Sequence, residues 1–480
     1  MKKLLILSVA IFAAIACSDR STTSVDDEVV IETLDGSQFT LSQFGAYRFP
    51  ATDSWTIEDQ SATTEDFETL SAAIEYISNN YPERQISIDF SALEAIPAYA
   101  IFGVALEDSS RNFSALTSVS APYATSLGAY AFEFCTNLKT IDLPNATSIG
   151  NYALRNCSSL TQIDLPVATS ISNAAFNGCS SLSVVNIPLV ESIGDQTFRL
   201  CDSLVEIELP SVVSLGSGAF TYCTALERVD APSLLTIGDY AFCDCSNLSE
   251  INIPIVEEIG SYAFIACKTL ESFTLPATLS ILGDGIFNDC TAMSTMDVES
   301  QAFTYIDGII YNDDLSEAIA AIPSVVTGEI SLPQSVTSMR SRIFYNCTNI
   351  TSVELPSVES VSAYAFANCT ELLSASFPMA TTLESNAMLN CEMMTSLEAP
   401  MATTLEEYSL CNCEDLVDLS LATAPNIKLE SIDTHALYSA ILTNITLTVG
   451  AANADMVAYG DTLTVGNYEA EFNEIIVLTE

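Results

Sequence analysis

Positive charge is scarce in this chain: Lys and Arg number 14 against 62 Asp and Glu in 480 residues, a formal charge of −48. A surface so acidic repels phosphate, which excludes nucleic acid and anionic membrane as partners. Histidine is scarcer still. His435 is the only one, and a lone imidazole with no motif around it offers neither a histidine-based catalytic group nor a histidine metal cluster. The chain has no nucleophile elbow and no phosphate loop. Carboxylate pairs are so numerous that they single out nothing, and no loop carries a calcium signature. No run after residue 16 is long and apolar enough to span a bilayer. These absences leave no catalytic constellation and imply no cofactor or metal, which leaves the surface as the seat of function.

What the chain has is period. Prolines stand at 122, 144, 166, 188, 210, 232, 254 and 276, and cysteines at 135, 157, 179, 201, 223, 245 and 267, so each step, such as 157 − 135, is 22 residues. A fixed period in the twenties, in a chain 49% hydrophobic and 16% charged, means a solenoid whose units stack over a shared core. Relative to each cysteine, apolar residues recur three, six and eight places later, as Leu204, Ile207 and Leu209 after Cys201. The final spacing of two marks a short strand. Three places before the cysteine stands a spine residue, phenylalanine at 132, 176, 198, 220, 242, 264, 287, 344 and 366. The proline after the strand ends its pairing, and the Ile-Gly beyond allows a second turn. Each unit is therefore expected to be strand, turn, short helical or irregular return, turn.

The phrase Leu-Pro, four residues, Ile-Gly, two residues, Ala-Phe, two residues, Cys, two residues, Leu resembles the BspA-like leucine-rich repeats of bacterial surface proteins, over about residues 86 to 430. The resemblance implies an α/β leucine-rich repeat solenoid of 22–23-residue units, with short parallel strands on one face. It also covers the one long interruption, where Cys290 and Cys347 lie 57 apart, an excess of 57 − 23 = 34 over one unit. Asp307-Gly308 between apolar stretches is a hairpin signal in its own right, and the family carries a similar Asp-Gly-Ile-Ile-Tyr module. The expected organisation is a signal peptide (1–17), a tether (18–28), an N-terminal cap (29–85), a first array (86–299), a β-hairpin insertion (300–332), a second array (333–430) and a strand-rich C-terminal cap (431–480). In the first cap, Phe67, Leu70, Ala73, Ile74 and Ile77 have helical spacing, and Trp55, the one tryptophan, reads as packing. Both caps hide open ends of the stacked core.

At the start, Lys2 and Lys3 precede an apolar run ending Ala14-Ile15-Ala16-Cys17, which reads as a signal peptide. Its end resembles a bacterial lipobox, implying lipidation at Cys17 and an outer-membrane lipoprotein. Ala14 stands where leucine is commoner, so cleavage by a general signal peptidase is the alternative. Ser18-Asp19 and Asp26-Asp27-Glu28 resemble surface-export signals, implying a place on the cell surface with membrane contact only through the lipid.

The twelve ladder cysteines read as buried thiols, although stacked strands about 4.8 Å apart would bring neighbours near disulfide reach. Cys243-Asp244-Cys245 and Cys411-Asn412-Cys413 lack a zinc spacer. The residues five and seven after each cysteine should point outward, in two columns across the sheet. From them come the candidate ligand-binding residues Asp142, Asp164, Glu206, Glu208, Arg228, Asp230 and Glu250. The family resemblance implies an adhesin or interaction module with a protein ligand, host or bacterial, and the acidic face suits engagement through a basic stretch. An ordinary solvated face is the plain alternative. Other readings are a structural spacer and a glycan-capturing lipoprotein. The last needs exposed aromatic platforms, and Tyr130, Tyr152, Tyr240, Tyr262, Tyr364 and Tyr408, which recur at one repeat position, read instead as packing.

Overall fold

The structure, a computed structural model, describes residues 30–32, 38–40, 54–56, helical positions between 67 and 79, and residues 85–90, 93–101, 113–424, 426–433, 435–438, 440, 445–458, 462–465, 468–472 and 474–478. The leader, Cys17, the segment 18–28 and the helical candidates Ala73 and Ile77 lie outside them. The chain forms two compact units, residues 1–234 with 251–253, and residues 235–250 with 254–480.

In the first unit the strands Leu116–Ser120, Thr140–Asp142, Gln162–Asp164, Val184–Asn186, Glu206–Glu208 and Arg228–Asp230 recur once per repeat. They pair parallel and in register, Val119 on Ile141, Ile163 on Val185 and Ile207 on Val229. The middle residue of each faces the core, and Ile141, Ile163, Ile207 and Val229 are buried. The structure adds an element the repeat pattern does not predict. The residues before the Ile-Gly turn form a second parallel ladder of two-residue strands, Ser126–Leu127, Ser148–Ile149, Ser170–Ile171, Ser192–Ile193 and Ser214–Leu215. At Gly150 a Cβ would stand 2.6 Å from the Ala129 backbone nitrogen of the preceding row, so glycine lets the two rows approach closely there.

The return contains no helix. It is a chain of turns with two left-handed residues per row, such as Tyr152 (φ 57°) and Asn156 (φ 59°). Beneath it runs the spine, with Phe176, Phe198 and Phe220 stacked at 5.4 and 5.3 Å. Ladder thiols donate to the spine carbonyl of the preceding row, as Cys157 to Phe132 at 3.2 Å and Cys223 to Phe198 at 3.0 Å. All fourteen cysteines from Cys135 to Cys413 are free thiols. At the N-terminal end Phe67, Leu70 and Ile74 lie buried on a helix, and Phe67 meets Phe90 at 5.9 Å, continuing the spine outward.

The second unit repeats the plan. Strands Gly328–Ser331, Ile350–Glu354, Ser374–Ser376, Ser396–Ala399, Asp418–Leu421, Thr446–Val449 and Glu474–Val477 form one parallel sheet. Before it, Phe303–Ile306 and Ile309–Asn312 form an antiparallel hairpin. Its turn is Asp307 (φ 48°) and Gly308 (φ 87°), the double left-handed geometry that suits the strand twist. A third strand, Glu317–Ala321, joins this hairpin to the short ladder at Ser338–Met339. Arg340 fastens it: Nε and Nη2 donate to the two Glu317 carboxylate oxygens at 3.2 Å each, and Nη1 donates to the Leu282 carbonyl.

An amide ladder also runs along this unit. Asn412 Nδ2 donates to Asn390, Asn390 to Asn368 and Asn368 to Asn346, at 2.7, 2.6 and 2.6 Å, and Asn346 donates to the Asp289 carboxylate at 2.5 Å. The ladder thus spans the insertion, which leaves the rows of Cys290 and Cys347 in side-chain contact. At the C-terminal end buried Asn453 accepts from Leu429 N and donates to the Ala422 and Ile427 carbonyls, so all its polar atoms are used.

Candidate functional site

Side chains flanking the buried middle of each strand emerge on the open face of the sheet, and the pleat decides which ones. Asp142, Asp164, Glu206 and Glu208 are exposed, and Arg228 and Asp230 are half-buried. Glu206 lies in register with Arg228, and Glu208 with Asp230. Arg228 Nη2 approaches its strand neighbour Asp230 at 3.9 Å. Asn186 Nδ2 donates to Asp164 at 2.6 Å, and Asn252 Nδ2 to Asp230 at 2.7 Å. The acids of this face are therefore partly engaged by their own neighbours, which relieves much of the repulsion expected between acidic rows. Val184, 56% exposed, interrupts the polar column. Glu250 is exposed but belongs to the second unit.

The candidates drawn from the sequence all lie in the first array, although the same offsets of five and seven from Cys347, Cys369, Cys391 and Cys413 reach the second. There the outward pairs are Ser352 and Glu354, Ser374 and Ser376, Ser396 and Glu398, and Asp418 and Ser420. They line a shallow depression of about 640 Å³, with Glu329 at one end. Serines make its floor, so a ligand can approach the strand backbone closely. No side chain among the described residues engages the Glu329, Glu354, Glu398 or Asp418 carboxylates, and none engages Asp142, Glu206 or Glu208, whereas Asp164 and Asp230 are bonded to Asn186 and Asn252.

The tyrosine column lies on the return side. Tyr99, Tyr130 and Tyr152 stack at 5.0 and 4.8 Å, and Tyr240 and Tyr262 at 4.9 Å. The Arg342 guanidinium lies 5.7 Å from the Tyr262 ring and 4.3 Å from that of Tyr364. The row beyond Tyr408 presents His435, whose ring centroid is 5.3 Å away and whose Nδ1 is 3.4 Å from Asp433. These rings turn faces to one another and to arginine, while Tyr240 stays 45% exposed. Burial raises the Tyr130 and Tyr262 hydroxyls above the ordinary range, with neighbouring tyrosines adding to it.

Among the described residues no group of His, Cys, Asp and Glu could hold a metal ion, and no helix is long and apolar enough to cross a membrane. The ladder thiols are held neutral by burial, which pushes Cys179, Cys223 and Cys290 up to about 12. They are packing groups and weak donors, far from the thiolate state a nucleophile needs.

The sequence profile of the BspA type leucine rich repeat region matches residues 107–227, 169–294, 213–327 and 337–462. This chain belongs to the BspA-type leucine-rich repeat family. A search of curated proteins finds no match. Among solved structures, the pneumococcal vaccine antigen PcpA is similar at 20% identity and a TM-score of 0.50, over 76% of this chain and 85% of that one. A leucine-rich repeat protein from Bacteroides ovatus ATCC 8483 is similar at 21% identity and 0.48, over 76% and 92%. A leucine rich cell surface protein from Faecalibacterium prausnitzii A2-165 is similar at 20% and 0.47, over 87% and 100%. The PcpA likeness is one of fold. As a BspA-type solenoid, the chain is built as a repeat scaffold in which inward positions are committed to packing and outward ones are available for contact.

Proposed function

We propose that this BspA-type chain is a cell-surface interaction module, held to the outer membrane by a lipid on Cys17, that binds protein ligands through the strand face of its repeats. The observation that carries the reading is the alignment of outward polar side chains over successive rows, from Asp142 and Asp164 through Glu206, Glu208, Arg228 and Asp230, above a buried middle residue in each strand. Rows about 4.8 Å apart offer an extended partner many weak contacts in register. A basic stretch suits the predominantly acidic columns, with affinity falling as salt rises. Display at the surface accords with the name given to the similar Faecalibacterium prausnitzii protein. Glycan capture is the second reading, since the tyrosine column commits ring faces to its own stack and to Arg342, while Tyr240 stays 45% exposed.

The test is a binding screen of the fragment from residue 29 onward, against extracellular matrix proteins and glycans, followed by the triple change Glu206→Gln, Glu208→Gln and Asp230→Asn. That variant should keep its unfolding midpoint and bind a captured protein several-fold more weakly, since exposed pairs contribute about 0.2–1 kcal/mol each. Normal binding by the triple variant, together with loss on changing Tyr240 and Tyr262 in a folded protein, would move the site to the return side. Failure to capture any protein or glycan would leave the spacer reading in possession.

A further inference from the structure

We infer that the strand face of the second array is a docking groove for an extended cationic polypeptide segment, with Glu354, Glu398 and Asp418 as its anchoring carboxylates. The inference rests on the protein-binding reading above and gives that reading a place and a partner chemistry.

Three observations combine. The depression of about 640 Å³ runs across the rows, so its occupant lies along the stack and spans several repeats. Its floor of Ser352, Ser374, Ser376 and Ser396 is small and able both to donate and to accept, which suits an approaching main chain carrying both kinds of group. Among the described residues no side chain engages the carboxylates that border it, whereas Asp164 and Asp230 on the first unit are bonded to Asn186 and Asn252. No lysine or arginine lines the depression, so the groove is uniformly complementary to positive charge.

Spacing narrows the occupant further. Glu354 and Glu398 occupy the same column two rows apart, with Ser376 between them, so their strands are separated by about 9.6 Å. Three residues of a polyproline II segment advance about 9.3 Å and return to the same face. A segment with lysine or arginine at every third position therefore presents its charges in step with the two glutamates. In a fully extended strand the third residue would face away.

The experiment uses the whole chain, immobilised, and a synthetic peptide with lysine at every third position and proline and serine between. Arms with the lysines acetylated, and with a neutral oligosaccharide, complete the set. The unmodified peptide should bind, more weakly as salt rises, and the acetylated one should not. Glu354→Gln, Glu398→Gln and Asp418→Asn together should weaken binding about tenfold at an unchanged unfolding midpoint, as three exposed pairs would. The change Ser374→Lys with Ser376→Lys, which fills the floor with like charge, should abolish binding. Equal binding by the acetylated peptide, or by the carboxylate variant, would overturn the inference. Loss in the Glu206, Glu208 and Asp230 variant instead would also overturn it while leaving the protein-binding role intact. Preference for the oligosaccharide would overturn both.

Discussion

At Cys179 hydrogen bonding and packing are joined in one residue. Its thiol is fully buried beside the spine and donates to the Leu154 carbonyl at 3.2 Å, so it fills volume and satisfies a turn at once. The position was legible from the 22-residue step, but the acceptor was not, because only the return path brings the preceding row's carbonyl to the sulfur. The tyrosines at positive φ were less legible still. Tyr152 adopts a conformation that local preference assigns to Gly or Asn, and stacking on Tyr130 accompanies it there. The thiols lead to a prediction with a definite sign. An unfolded cysteine loses its proton near pH 8.5, and burial pushes the folded values for Cys179, Cys223 and Cys290 up to about 12. Between those values the folded state keeps protons that the unfolded state has lost, so stability is full below about pH 8.5 and falls as pH rises, by up to about 1.4 kcal/mol per thiol per unit. Denaturant midpoints should therefore drop steeply above pH 9, and alkylation at neutral pH should label the ladder thiols only after unfolding, without reductant. A flat profile, or labelling that required reduction, would contradict the free buried thiols.

At the scale of the element, the main strands could be read from the offsets of six and eight after each cysteine, and the double left-handed turn at Asp307-Gly308 from its residue pair. The second ladder could not. A two-residue strand such as Ser148–Ile149 shows no alternation, and its pairing partner is a whole repeat away. Nor does a recurring asparagine at the place before the cysteine reveal whether it serves a turn or a neighbour. The structure gives it both roles, a left-handed backbone and an amide bonded to the preceding row. Replacing Asn368 by Leu should therefore cost about 1–3 kcal/mol, since it leaves the Asn346 oxygen and the Asn390 amide unmatched in a half-buried column. Urea unfolding of Asn368→Leu would measure this, and a loss no larger than that of an exposed substitution would show the ladder to be incidental.

For the whole molecule, composition foretold the kind of surface and period foretold the architecture, but neither distinguished two acidic faces of different character. On the first strand face Asp164 and Asp230 are bonded to Asn186 and Asn252, whereas no described side chain engages Glu354, Glu398 or Asp418 on the second, a contrast that depends on single residues such as Asn186 against Ser376. The anchor belongs to this scale as well. Labelled fatty acid should enter the wild-type chain and not Cys17→Ala, and incorporation into the mutant would remove the lipid tether from the proposal. The sameness of the rows has a further consequence, one that concerns heredity. A gene that spells nearly the same unit again and again invites unequal recombination, and here each gain or loss of a complete unit yields a stack whose surviving interfaces repeat the thiol, spine and serine contacts of Cys157, Cys179 and Cys201. Descendant chains can thus differ in reach by steps of about 4.8 Å, measuring out longer or shorter partners without altering a single residue that touches them.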